Sequence, residues 1–159
     1  MATTGGFTSA QLQEHEDSSL LPRLSNEEAI EIGELAVKIG RGRDLPIAIE
    51  IRIGEWVVFK AALPGSKPEN DGWINRKANV VNLTKHSTMY ERVSAEESGI
   101  DWHQKHSVED ATHAIHGGGF PLKTKEGFKG ILLISGLPQV EDHLLAVEIL
   151  KSYLQRLAG

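Results

Sequence analysis

Three stretches of this chain carry more glycine, proline and polar side chains than packing alone requires. The first runs from Ala62-Leu63-Pro64-Gly65 through Pro68-Glu69-Asn70-Asp71 to Trp73-Ile74-Asn75-Arg76-Lys77. The second is His116-Gly117-Gly118-Gly119-Phe120-Pro121, and the third is Ser135-Gly136-Leu137-Pro138-Gln139-Val140-Glu141-Asp142-His143. Each admits a chemical and a plainer reading. Gly117, Gly118 and Gly119 can line a ligand with bare backbone amides, as phosphate loops do, yet the lysine and Ser/Thr of a P-loop are missing and a strand follows instead of a helix. The plainer reading is a tight turn that lets His116 and Phe120 diverge. Arg76 and Lys77 suit an anion pocket built against the 116–119 loop. Alternatively Asn70 or Asp71 caps a helix, Trp73 anchors a core or interface, and Arg76 pairs with a carboxylate at a subunit contact.

Glu141 and Asp142 fall in the first turn of a helix, where carboxylates gain from the backbone dipole. His143 falls on that helix's apolar side, between Val140 and Val147. It is either a half-buried ring fixed by hydrogen bonds or a catalytic base whose proton affinity Asp142 or Glu141 tunes. Among seven histidines, His113/His116 and His103/His106 have i, i+3 spacing, which lets a pair face one metal if its segment is helical. No carboxylate joins either pair in a recognised metalloenzyme pattern. No metal centre is therefore expected, and His113 and His116 would be its ligands if there were one.

Cysteine is absent, which removes disulfides, thiol catalysis and thiolate-held zinc or iron–sulfur centres. No Gly-x-Ser-x-Gly elbow occurs, so ordinary hydrolase chemistry has no carrier. Seventeen basic against 22 acidic side chains give a formal charge of −5, and no basic run could neutralise a row of phosphates, so nucleic acid is not an expected partner. The longest apolar stretches, such as residues 131–134, are far short of the ~20 residues that span a bilayer, and the start lacks a signal-peptide pattern. No membrane association is expected and the location reads as cytoplasmic. A chain of 159 residues with 40% hydrophobic side chains suits one core.

The elements that must position these groups are legible from periodicity. Ser25-Asn26-Glu27-Glu28 is a capping box, and apolar residues at helical spacing predict a helix over 26–40, with Gly33 packed closely on a sheet. Residues 46–53 alternate at strand period, Gly54-Glu55 suits a tight turn, and residues 56–63 return as the antiparallel partner. Ser66 and Glu69 offer a second capping box for a helix through residue 84. A further short helix spans 88–97 and stops at Gly99, and Ser107 opens another. Residues 120–124 and 128–135 form a second hairpin whose second arm is central, because residues 131–134 are apolar on both faces. A long amphipathic helix closes the chain. Two hairpins separated and flanked by helices predict an α/β domain of the α+β type, not an alternating parallel fold. In the N-terminal region the first half dozen residues read as mobile, and part of 10–21 as a docking helix.

Taken in order, the three stretches resemble those of the HbpS/GlcG-like proteins, within them the uncharacterised-protein-family branch often labelled haem-degrading domain proteins. The resemblance runs over about residues 25–153. Glu69 stands where aspartate is expected and Leu122 where isoleucine is usual; neither change removes a polar group of the motif. The resemblance implies a profilin-like architecture, a central antiparallel sheet of four to five strands with helices on both sides, and assembly into homo-oligomers. It divides the chain into an N-terminal extension, 1–24, partly flexible with a docking helix, and one domain, 25–159. The expected function is a homo-oligomeric module that binds a small organic or anionic ligand between His116, Gly117, Gly118, Gly119 and Phe120, the helix bearing Asn70, Asp71, Trp73, Arg76 and Lys77, and the turn at Glu141, Asp142 and His143. One alternative is a haem-binding or haem-degrading protein with His116 as ligand, which rests on the family label. Another is a structural or protein-interaction role in which the motifs serve assembly alone.

Overall fold

The computed structural model describes residues 4–159. Strand β1 (Ala48–Ile53) turns at Gly54, whose φ of 61° suits glycine, and returns as β2 (Trp56–Ala62). Strands β3 (Gly119–Thr124) and β4 (Gly127–Ser135) make the second hairpin. The hairpins join through β1 and β4, giving one sheet of order β2-β1-β4-β3 in which every neighbouring pair is antiparallel. Ile49 stands opposite Ile134 and Ile51 opposite Leu132.

Residues 131–134 are fully buried because β4 is covered on both faces. On one face Ile49, Ile51, Leu132 and Ile134 pack against helix α2 (Asn26–Gly42) and the long C-terminal helix α6 (Gln139–Ala158). On the other, Ala48, Ile131 and Leu133 meet Ile74, Ala78 and Val81 of helix α3 (Glu69–Thr84). The expected antiparallel sheet with helices on both sides is therefore the observed fold, with four strands among the described residues.

The N-terminal helix is α1 (Ser9–Asp17), which buries Leu12 against Met89 and Val93 of helix α4 (Thr88–Ser98). Ser9 donates its amide to Glu97 Oε2 at 2.9 Å, and the buried Glu16 carboxylate accepts from Ser87 N at 3.0 Å and Lys123 Nζ at 3.1 Å. Leu21 N then donates to Lys123 O at 2.8 Å, which covers part of the β3 edge. Of the residues expected to be mobile, 1–3 lie outside the described residues, whereas Phe7 N closes a turn on Thr4 O at 3.3 Å.

Local signals were not all used as expected. The Ser25–Glu28 box forms. The Ser66–Glu69 box does not: Ser66 Oγ donates to Leu63 O at 2.6 Å, and Asn70 Oδ1 instead takes the Lys67 amide at 2.8 Å. Ser107 ends a helix instead of opening one. Asp101 caps the short α5 (Trp102–His106), and Ser107 closes it with φ 55°.

Gly33 explains how closely α2 sits on the sheet, since a Cβ there would run into the Phe59 ring, whereas one on Gly72 would meet nothing within 4 Å. Gly33→Ala should lower the urea midpoint, because ~1–3 kcal/mol of overpacking outweighs the roughly 1 kcal/mol helix-propensity gain. Gly72→Ala has only that gain and should raise stability by about 0.5–1 kcal/mol. Equal stabilisation by both substitutions would refute the close approach.

Candidate functional site

Strand β4 stops at Ser135, and Gly136 adopts φ 145°, where a Cβ would collide with the backbone of Pro46 and Ile47. The chain then turns through Leu137 and Pro138 into α6. At this end of the sheet the two helix-bearing faces meet, and a pocket of about 270 Å³ opens between the start of α3, the 116–119 loop and the start of α6. Asn70, Trp73 and Lys77 line it from α3, His116 from the loop, and Ser135, Gly136, Leu137, Gln139 and Asp142 from the turn into α6.

Lys77 and Asp142 form an ion pair at 3.2 Å with side chains only 3% and 2% exposed. Each has a second partner: Lys77 Nζ donates to Ile134 O at 2.8 Å, and Asp142 Oδ1 accepts from Leu137 N at 3.0 Å. Burial pushes the Asp142 carboxyl up to about 6 against the opposing pull of Lys77. Burial likewise lowers the Lys77 pKa, with Asp142 resisting. Desolvation thus outweighs attraction on both sides of the pair.

The pocket wall beside this pair is aromatic. The Trp73 and His116 rings meet edge to face with centroids 4.8 Å apart, and the Arg76 guanidinium lies 4.3 Å from the centre of the Trp73 ring. His116 Nδ1 is buried and has no hydrogen-bond partner among the described residues. Burial first, then the nearby cations Arg92 and Lys77, hold the His116 pKa below its ordinary value, which keeps the ring neutral near pH 7. Asn70 Nδ2 donates to Ser135 Oγ at 3.2 Å, tying α3 to the end of β4.

The three stretches singled out in the sequence therefore converge, but not every residue in them reaches the pocket. Arg76 is held outside it, donating to Asp110 O at 2.8 Å and Asp110 Oδ2 at 2.7 Å; its carboxylate partner is in the same chain. Asp71 pairs with Lys60 of β2. Phe120 is a core residue, and Glu141 is exposed in the first turn of α6. Gly117 and Gly119 spend their amides within the protein, on Gln139 Oε1 at 3.3 Å and Thr88 Oγ1 at 3.1 Å. The glycines are needed for close approach: a Cβ on Gly118, at φ 126°, would lie 2.7 Å from Lys77 Nζ and 3.2 Å from Asp142 Cβ. That places the loop directly over the ion pair.

His143 is fully buried on the other side of α6, where its Nε2 lies 3.0 Å from His15 Nδ1 and the Phe7 and Phe120 rings flank it. Burial drives its pKa down to about 3, so it is a neutral core histidine turned away from the pocket. The segment 113–116 is not helical, so the i, i+3 geometry proposed for His113 and His116 does not arise. His103 Nε2 is instead 2.6 Å from His113 O. Among the described residues no cluster of three or more His, Asp or Glu side chains could hold a metal ion. Sequence reasoning missed Ser135, Gly136, Leu137 and Gln139 as pocket residues. Their signal lies in the Ser-Gly-Leu-Pro turn, which carries no charge and is followed by the charged residues of α6.

A four-stranded antiparallel sheet with helices on both faces and a polar pocket at one end defines the class of fold. The chain matches the family described as haem degrading protein HbpS-like over residues 24–151, and it belongs to that family. It is 37% identical over 150 residues to a UPF0303 protein of Streptomyces avermitilis, covering 94% of this chain and 92% of that one. Among solved structures, that of the Ybr137w protein superposes with a TM-score of 0.85 at 27% identity, covering 92% and 88% of the two chains. The structure of a PduOC:heme complex superposes with a TM-score of 0.69 at 19% identity, covering 81% and 94%, and shares the fold.

The raised Asp142 pKa fixes the sign of a pH effect. The folded carboxyl holds its proton more tightly than the unfolded one, so this group's contribution is fully present below about pH 4 and is lost as pH rises through about 6. Comparing pH 7 with pH 4, wild type should lose about 2 kcal/mol relative to Asp142→Asn, at ~1.4 kcal/mol per pKa unit with the unfolded carboxyl already part ionised at pH 4. Urea unfolding of both proteins at the two pH values measures this, and a difference that does not change with pH would refute the buried, desolvated carboxylate.

Proposed function

We propose that this protein is a small-ligand-binding member of its family, acting as a homo-oligomer, with the ligand seated between Trp73, His116 and the Lys77–Asp142 pair. The observation that carries this reading is that pair. Two buried charges in a cleft are costly to maintain, and perturbed ionisable groups of this kind concentrate at functional sites. Packing alone would be served by apolar residues of similar size. Convergence of residues far apart in the chain on a pocket with one aromatic wall supports the same conclusion.

Haem is the second reading, favoured by the family description and by the half-buried His116 ring at the pocket. The residues of one chain do not enclose it. Pockets for drug-sized ligands span roughly 300–1,000 Å³ and a porphyrin belongs at the large end, above the volume present here.

In an NMR fragment screen of the purified protein, binders should shift the Trp73 indole and the Asn70 and Gly136 signals, and leave Trp56 at the β1–β2 turn unmoved. Trp73→Ala should abolish those shifts. Fragments that shift no signal around the pocket would defeat the small-ligand reading. Titration with haemin separates the alternative: a saturable Soret band weakened by His116→Ala would establish haem binding, and a featureless titration counts against it. Sedimentation velocity tests the self-assembly, which a purely monomeric species would contradict.

A further inference from the structure

Charge decides what the pocket can hold. Inside it Lys77 and Asp142 cancel, since they are the charged side chains that line it. Around His116 the balance is positive: Arg92, Lys77 and Arg76 act on the ring against the single carboxylate of Asp110. Helices α3 and α6 both begin at the pocket and turn the positive ends of their dipoles toward it. An anion gains from each of these and is opposed by the buried carboxylate of Asp142 inside the pocket and, outside it, by Asp110 and by Glu69, Asp71 and Glu141 in the first turns of the two helices.

The ammonium of Lys77 has three donors, and Ile134 O and Asp142 Oδ2 take two of them. Trp73, His116 and Leu137 supply flat or apolar walls, and about 270 Å³ leaves room for a single ring with a short polar substituent. Resting on the small-ligand reading above, we infer that the pocket takes a single-ring aromatic monocarboxylate, whose carboxylate replaces Asp142 as the partner of Lys77 while Asp142 takes up one proton.

The exchange balances without any covalent change in the ligand. The ligand enters as an anion, a proton from solvent forms an O–H bond on Asp142 Oδ2 as Lys77 leaves it, and the net charge of the pocket stays at zero. Asp142 Oδ1 keeps the Leu137 amide. The groups that face Asp142 are Lys77 from α3, the Leu137 and Gly136 amides from the turn, and Gly118 from the loop. Its neighbour His143 is neutral and paired with His15 on the far side of α6. Lys77 is thus the charge that Asp142 answers to. With the carboxyl already raised to about 6 by burial, protonation near neutral pH is a small step.

The test is calorimetric titration of the full chain with benzoate, and with the neutral probes benzamide and benzyl alcohol, between pH 6.5 and 8.5 in phosphate and in Tris. Above pH 7 the benzoate affinity should fall about tenfold per pH unit, with uptake of about one proton per benzoate from the two-buffer comparison. Benzamide should bind more weakly and without a pH slope, and Asp142→Asn should bind benzoate with the slope removed. Benzoate binding with no slope in wild type, or benzamide binding as tightly as benzoate, would overturn the inference while leaving a ligand pocket in place. Failure of all three probes, while other fragments shift Trp73, overturns the ligand class alone; with Trp73 also unmoved, the small-ligand reading falls too. Should Asp142→Asn not fold, the wild-type slope and proton count decide the matter by themselves.

Discussion

The contact between Lys77 and Asp142 is the constraint on which this end of the molecule depends. It joins α3 and α6, helices that cover opposite faces of the sheet, at the end where β4 stops. A lysine and an aspartate so deeply buried are tolerated only when the polar atoms around them are placed to offset part of their desolvation. Here Ile134 O, Leu137 N and the glycine loop are so placed. Gly118 belongs to the same device, because any side chain at that position would force the loop off the pair. Its carbonyl also accepts from Ile134 N at 2.9 Å, so the loop is bound to the same strand end that holds Lys77.

Function and stability pull in different directions at this point. Desolvation outweighs attraction for both charges, so the pair costs folding free energy near neutral pH. The surrounding fold can bear that cost. Beneath it lies a sheet whose central strand is buried on both faces, and α1 adds a second layer of packing through Leu12 and the Glu16 ion network. The buried pair thus lies at one end of an otherwise well-packed sheet. The turn at Gly136, with its positive φ, lies at that end too.

The architecture was legible in the sequence because its signals are local. Isoleucines at alternate positions, a glycine-first turn and the apolar run at 131–134 each impose one answer on the backbone, and hairpins bring their own partners with them. Convergence of the polar stretches was legible in outline, since turns at one end of an antiparallel sheet share a surface. What each side chain does there was not. Lys77 and Arg76 are adjacent in sequence and alike in charge, yet helical geometry sends one into the core and the other to Asp110. Asp142 and His143 are divided in the same way by α6. Such a split depends on which helix face meets which neighbour, a tertiary fact that adjacency in sequence conceals. The Ser66 box failed for a related reason, because its hydroxyl donates to the carbonyl of Leu63 instead of capping the helix.

The triple glycine shows how a motif can shape a local geometry through the side chains it lacks. The amides of Gly117 and Gly119 go to Gln139 and Thr88, and the missing side chain of Gly118 makes room for Lys77 and Asp142. The loop acts as a lid of bare backbone over a charge pair, and it holds His116 at the pocket edge against Trp73. A phosphate loop presents its amides outward to an anion, whereas this one commits the Gly117 and Gly119 amides to the protein itself. Should the pocket take the proposed carboxylate, Lys77 would become available to it only as Asp142 is neutralised, so occupancy would be coupled to a proton, with the glycines fixing the geometry in which that coupling operates.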